Sequence, residues 1–131
     1  MTQLEAARKG IVTDAMKVVA KDEGLDAEKV RAAVATGEAV IPLNPAHKYC
    51  RPVGVGRMFT TKINANLGRS VTHSGKGDEL EKLQVALDAG ADFVMDLSVA
   101  STEDEIASIR QGMLDASPKP LGTVPSGLGE A

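Results

Sequence analysis

Up to about residue 37, apolar positions recur at helical spacing and glycines interrupt them, which predicts three short helices. Thr2 and Glu5 have the spacing of a capping box at the start of the first, and Gly10 ends it. Thr13 caps the second, where Ala15, Met16, Val19 and Ala20 share a face, and Gly24 closes it. Asp26 caps the third, with Val30, Ala33 and Val34 as its apolar stripe and Gly37 at its end. None of these segments is long enough to be stable in isolation, so each must dock on a neighbour.

From Glu38 onward the pattern changes to strands alternating with helices. Ala39-Val40-Ile41 is a short apolar run stopped by Pro42, followed by an irregular stretch through Asn44, Pro45, His47, Tyr49, Cys50 and Pro52, a loop long enough to carry function. Thr60 to Asn66 reads as a strand, and a polar loop then leads to a helix capped near Asp78, with Leu80, Leu83 and Leu87 aligned and Gly90 at its end. Asp92 to Leu97 is the next strand. Thr102 and Glu105 form a second capping box, before a stripe of Ile106, Ile109 and Met113 that Ser117-Pro118 terminates. Leu121-Gly122-Thr123-Val124 supplies a third strand, cut short by Pro125.

Twenty-nine residues separate Asn66 from Met95, and the same number separates Met95 from Val124. Two βα units of that length imply parallel strands with helical crossovers. A closed (β/α)8 barrel needs about 250 residues, so the pattern fits either part of such a barrel or a small open sheet. The expected organisation is a helical region with a short strand and loop over residues 1–58, βα units over 59–125, and a tail of different character over 126–131.

In Lys62-Ile63-Asn64-Ala65-Asn66 the two-residue period puts Lys62, Asn64 and Asn66 on one face and Ile63 and Ala65 on the other. A strand covered on both sides is mostly apolar, so this polar row calls for hydrogen-bond partners or a ligand. On the next strand Val94, Asp96 and Ser98 share one face, and Phe93, Met95 and Leu97 the other. Asp96 and Ser98, at the strand's C-terminal end, are therefore expected in the same cavity as the asparagines, where α/β proteins bind ligands. The alternative for Asp96 is a helix cap. The turn Gly68-Arg69-Ser70 offers backbone N–H groups and a guanidinium to an anion.

Composition narrows the chemistry. Fifteen Lys and Arg stand against 18 Asp and Glu, a net charge of −3, and Tyr49, Phe59 and Phe93 are the only aromatics. Neither the charge nor the aromatic content of a nucleic-acid platform is present. No apolar run reaches membrane-spanning length and the N-terminus lacks a signal-peptide pattern, so a cytoplasmic protein with no membrane partner is expected. Cys50 is the only cysteine. With His47 three residues before it and His73 elsewhere, it fits no zinc spacing, and its proline-flanked loop suits an inert thiol as well as a reactive one. Gly54-x-Gly56 lacks the third glycine and the helix of a dinucleotide fingerprint.

Several blocks then resemble one family in order: Thr2-Gln3-Leu4-Glu5-Ala6-Ala7-Arg8-Lys9-Gly10-Ile11-Val12-Thr13, Lys62-Ile63-Asn64-Ala65-Asn66-Leu67-Gly68, Gly90-Ala91-Asp92-Phe93-Val94-Met95-Asp96-Leu97-Ser98 and Gly122-Thr123-Val124-Pro125. They are similar to the ThiC family of phosphomethylpyrimidine synthases, over its N-terminal region and the opening strands of its (β/α)8 barrel. The resemblance implies a radical S-adenosylmethionine lyase of thiamine biosynthesis. Such an enzyme converts 5-aminoimidazole ribonucleotide to hydroxymethylpyrimidine phosphate and releases formate and carbon monoxide. It also implies a [4Fe–4S] cluster, a divalent metal, a homodimer, and nucleotide contacts at Asn66 and Met95; the strand pattern, not the resemblance, adds Lys62, Asn64, Asp96 and Ser98 as supporting groups. Met95 alternates with Asp96, which leaves three readings: a backbone contact, a local twist, or an inward face opposite to the one assigned.

There are departures from the family pattern. The family's I-Y after G-T-V-P, whose Tyr contacts substrate, is replaced by Ser126-Gly127, and its I-P-A-N-x-N-H is altered to Ile41-Pro42-Leu43-Asn44-Pro45-Ala46-His47. The later barrel strands, the metal-binding histidines and the three-cysteine cluster motif do not occur in these residues. The expectation is an N-terminal fragment, inactive alone. A 5-hydroxybenzimidazole synthase fragment and a non-catalytic interaction protein are the alternatives.

Overall fold

The computed structural model describes residues 1–70, 75–99 and 102–124, and these divide into two compact units. The first comprises Met1–Asn44 with Pro52–Thr61, and the second Pro45–Arg51 with the residues from Lys62 onward.

In the first unit, helices α1 (Gln3–Arg8), α2 (Asp14–Glu23) and α3 (Ala27–Thr36) precede strands β1 (Ala39–Val40) and β2 (Val55–Gly56). Each helix starts on a side-chain cap. The Thr2 hydroxyl accepts from Glu5 N while the Glu5 carboxylate accepts from Thr2 N, Thr13 accepts from Met16 N, and Asp26 from Glu28 N. Gly24 and Gly37 end α2 and α3 in the left-handed conformation.

Helix α3 packs on both α1 and α2, and alanines at the crossings let the backbones approach closely. Met16, Val19, Val30, Val34, Ile41 and Phe59 fill the space between them. Arg31 donates to the Ala7 carbonyl at 2.7 Å, which also accepts from Gly10 N, and so ties α3 to the end of α1.

Strands β1 and β2 pair antiparallel, with Ala39 opposite Gly56 and Val40 opposite Val55. This ladder was not predicted, because two residues per strand leave no alternation to read. A Cβ on Gly54 would lie 2.6 Å from Val19 Cγ1 and 2.7 Å from Phe59 Cε2. The glycines of the Gly54-x-Gly56 run thus serve packing.

The second unit is β3 (Asn64–Leu67), α4 (Lys76–Asp88), β4 (Phe93–Asp96), α5 (Glu103–Ala116) and β5 (Leu121–Thr123), with the strands parallel in the order β3-β4-β5. Leu83 from α4 and Ile109 and Met113 from α5 pack on Leu67, Val94 and Leu121 of the sheet. The N-cap of helix α4 is Gly75, three residues before the expected one: Asp78 lies inside the first turn and its carboxylate reaches back to accept from Gly75 N at 2.7 Å.

The chain is thus α/β, with parallel strands joined through helices as expected. Strand β3 is shorter than predicted. Ile63 N donates to the Asp92 carboxylate at 2.8 Å, and its carbonyl accepts from Asp92 N and Phe93 N, so Lys62 lies ahead of the ladder. The first 29-residue interval is the observed register, Asn66 opposite Met95. The second is corrected: Met95 lies opposite Gly122, two residues before Val124. A slip of two leaves the alternation of faces along β5 unchanged.

Candidate functional site

Paired residues of a parallel sheet project to the same side, so the register assigns the faces. Asn64 stands opposite Phe93 and Asn66 opposite Met95, while Ala65 and Leu67 stand opposite Val94 and Asp96. Leu67, Val94 and Leu121 pack under α4 and α5. Asn64, Asn66, Phe93 and Met95 therefore form the face turned away from those helices. On it both asparagines are exposed, and Phe93 and Met95 are partly buried. Asn64 Nδ2 donates to Asn66 Oδ1 at 2.8 Å, which orients the second amide. A Cβ added to Gly122 would lie 3.1 Å from Met95 Cε, so the methionine side chain extends over the bare backbone of β5.

This corrects the expected inward face of β4. Asp96 and Ser98 do not share a side with the asparagines. Asp96 is fully buried on the helix side, where its Oδ2 accepts from Arg110 Nε at 2.9 Å and its Oδ1 from Ser98 N at 2.9 Å. Ser98, also buried, accepts from Arg69 N at 3.0 Å. Of the six residues singled out in the sequence, Asn64, Asn66 and Met95 come together on one face. Asp96 and Ser98 lie on the other side, and Lys62 lies outside the strand, half-buried just before it. The reason is electrostatic. A carboxylate placed against α5 is stable there only with a charged partner, and the helix supplies Arg110.

Arg110 was not singled out from the sequence. It lies one turn after Ile106 and next to Ile109, on the margin of the apolar stripe, and that position is the signal by which a partner for a buried carboxylate could have been found. The Gly68-Arg69-Ser70 turn has its own internal partners. Arg69 N bonds Ser98, and the Arg69 guanidinium pairs with Glu105 in the first turn of α5.

His47 and Cys50 lie in the loop over 45–51. His47 is buried with Nε2 2.7 Å from the Ser117 carbonyl, so that nitrogen is a donor rather than a ligand. Burial pushes the Cys50 thiol above its ordinary range, which disfavours thiolate. Among the described residues no group of three or more His, Cys, Asp or Glu could hold a metal ion, and His73 lies outside them. An iron–sulfur cluster held by three thiolates does not fit residues that include one cysteine. No described helix is long and apolar enough to cross a membrane.

Comparisons with known proteins agree with the motif blocks. Residues 2–127 match the family described as "Radical SAM ThiC family". The chain is 54% identical over 124 residues to the phosphomethylpyrimidine synthase of Halobacterium salinarum, an alignment covering 95% of this chain and 25% of the relative. It is 47% identical over 125 residues to that of Thermotoga petrophila, covering 95% and 29%, and 52% identical over 125 residues to that of Moorella thermoacetica, covering 95% and 28%. The chain thus spans between a quarter and a third of the length of these curated relatives. On the match over residues 2–127 and identities near one half, this chain belongs to the radical SAM ThiC family.

Proposed function

We propose that these residues form the N-terminal region and opening strands of a phosphomethylpyrimidine synthase, and that the open face of β3-β4-β5 contributes to its 5-aminoimidazole ribonucleotide site. The observation that carries the reading is the placement of Asn66 opposite Met95 on the uncovered face, one strand apart. The name shared by the three relatives favours this over a benzimidazole-forming enzyme or a non-catalytic scaffold. The outer edges of β3 and β5 support a sheet that continues, as the opening units of a (β/α)8 barrel would.

In this reading the Asn66 carboxamide, oriented by Asn64, both donates to and accepts from polar groups of the nucleotide. Met95 lays a polarizable apolar surface against a flat heterocycle, and Gly122 leaves the space that its side chain occupies. These groups bind and orient. The family's radical chemistry depends on an iron–sulfur cluster and S-adenosylmethionine, whose ligands would come from residues other than these.

Calorimetric titration of 5-aminoimidazole ribonucleotide into the full-length protein carrying this region tests the proposal. Saturable binding that weakens about tenfold in Asn66→Ala and in Met95→Ala is expected, the size of one lost interaction of about 1.4 kcal/mol. No binding, or unchanged affinity in both variants, overturns it.

A further inference from the structure

The side chains that leave the open face are themselves organised. Asp96 is fully buried and both of its oxygens are used. Its partner Arg110 reaches on with Nη2 to the carbonyl of Val124, at the exit of β5, at 3.2 Å. Ser98, bonded through its N–H to Asp96, accepts from Arg69 N at the exit of β3. A relay of directional bonds thus runs Val124–Arg110–Asp96–Ser98–Arg69 and crosses the C-terminal ends of all three strands. Backbone bonds from Leu97 N to the Leu67 carbonyl at 2.8 Å and from Val99 N to the Arg69 carbonyl at 2.9 Å extend the β3–β4 ladder past the strands proper. Gly68 lies so close that a Cβ there would approach Ser98 N to 2.6 Å.

We propose that the Asp96–Arg110 pair is a clamp that fixes the relative height of the three strand ends, and so positions Asn66 and Met95 without touching the ligand. A hydrophobic pair of similar volume would stabilise the helix–sheet contact as well or better, because desolvating two charges offsets much of their attraction. An ion pair adds direction. Arg110 can meet Asp96 and Val124 together only when β4 and β5 hold one offset, and Ser98 can meet Arg69 only when β3 and β4 do. Asn66 lies three residues before Arg69, and Met95 immediately precedes Asp96. Any slip at the clamp is therefore transmitted to both. Asp96 and Arg110 are positioning residues, and only their effect on affinity rests on the nucleotide reading above.

Site-resolved hydrogen exchange on the full-length protein, with nucleotide titration alongside, tests the clamp. In Asp96→Asn and in Arg110→Gln, the amides of Leu97 and Val99 are expected to exchange at least about tenfold faster while those of Leu83 and Ala86 in α4 keep their rates. Nucleotide affinity is expected to fall about tenfold, and Arg110→Lys, which keeps the charge, to recover part of both effects. Wild-type exchange at Leu97 and Val99 in both variants overturns the clamp. So does loss of protection throughout α4 in both, which would make the pair a general stabiliser. If the unsubstituted protein binds no nucleotide, the functional reading fails, and the exchange pattern still decides the clamp.

Discussion

The two faces of the β3-β4-β5 sheet differ in what surrounds the same strands. The helix-covered face carries Leu67, Val94 and Leu121 under Leu83, Ile109 and Met113, and its one charged group, Asp96, is matched by Arg110. The open face carries two exposed asparagines, one phenylalanine and one methionine. On the covered face identity is dictated by packing and by the cost of an unpaired charge. Neither accounts for asparagine on the open face. Asparagine is a poor strand former, so two in alternation add little to strand stability, which fits the proposal that this is the ligand side.

Substitutions on the two faces should therefore separate stability from binding. The largest expected effect is on the covered face. Leu83→Ala is predicted to destabilise by about 2–5 kcal/mol, read as a lowered urea midpoint, whereas Asn64→Ala should stay within ~0.5 kcal/mol of the parent. At the junction of the faces, Gly68→Ala should cost about 1–3 kcal/mol, because its φ of 146° and the 2.6 Å approach to Ser98 N leave no place for a methyl. Thr13→Ala, in the first unit, removes one helix cap and should cost ~1 kcal/mol in the same assay without altering nucleotide affinity.

Smaller effects come from titration. The Thr2 N–H bonded to the Glu5 carboxylate holds that carboxyl below its usual range. The capping interaction is thus fully present above the ordinary carboxylate pKa and is lost as pH falls through the lowered folded value. The amide resonance of Thr2 should follow that lowered midpoint; a midpoint at the ordinary glutamate value would contradict the bond. At Cys50 the direction is opposite. Burial raises the thiol, so alkylation by iodoacetamide near pH 8 should be slower than for an exposed cysteine and should accelerate in urea.

Much of this architecture was legible in the chain. Thr2, Thr13, Asp26 and Thr102 each accept from the start of a helix, because a cap is a local bond that needs only the right side chain at the right spacing. The Asn66–Met95 register followed from the length of one βα unit. The sidedness of β4 did not, because period two states which residues alternate but not which set meets the helices. That choice was decided by Arg110, 14 residues further along the chain, and by Leu67, whose partner is Asp96. The β1–β2 ladder also escaped notice, since it depends on Gly54 fitting against Val19 and Phe59 rather than on any pattern within the strands. The family blocks already pointed to Met95, and the register removes the apparent conflict with Asn66.

The most direct measurement uses the methionines as paired reporters. Met95 lies on the open face, and Met113 is buried beneath the same sheet. With methyl-labelled methionine in the full-length protein, addition of 5-aminoimidazole ribonucleotide should shift the Met95 ε-methyl resonance and the Asn66 side-chain amide in a saturable way, leaving Met113 in place. A shift of Met113 with Met95 unmoved, or no shift at either under saturating nucleotide, would contradict the assignment of the uncovered face as the ligand side.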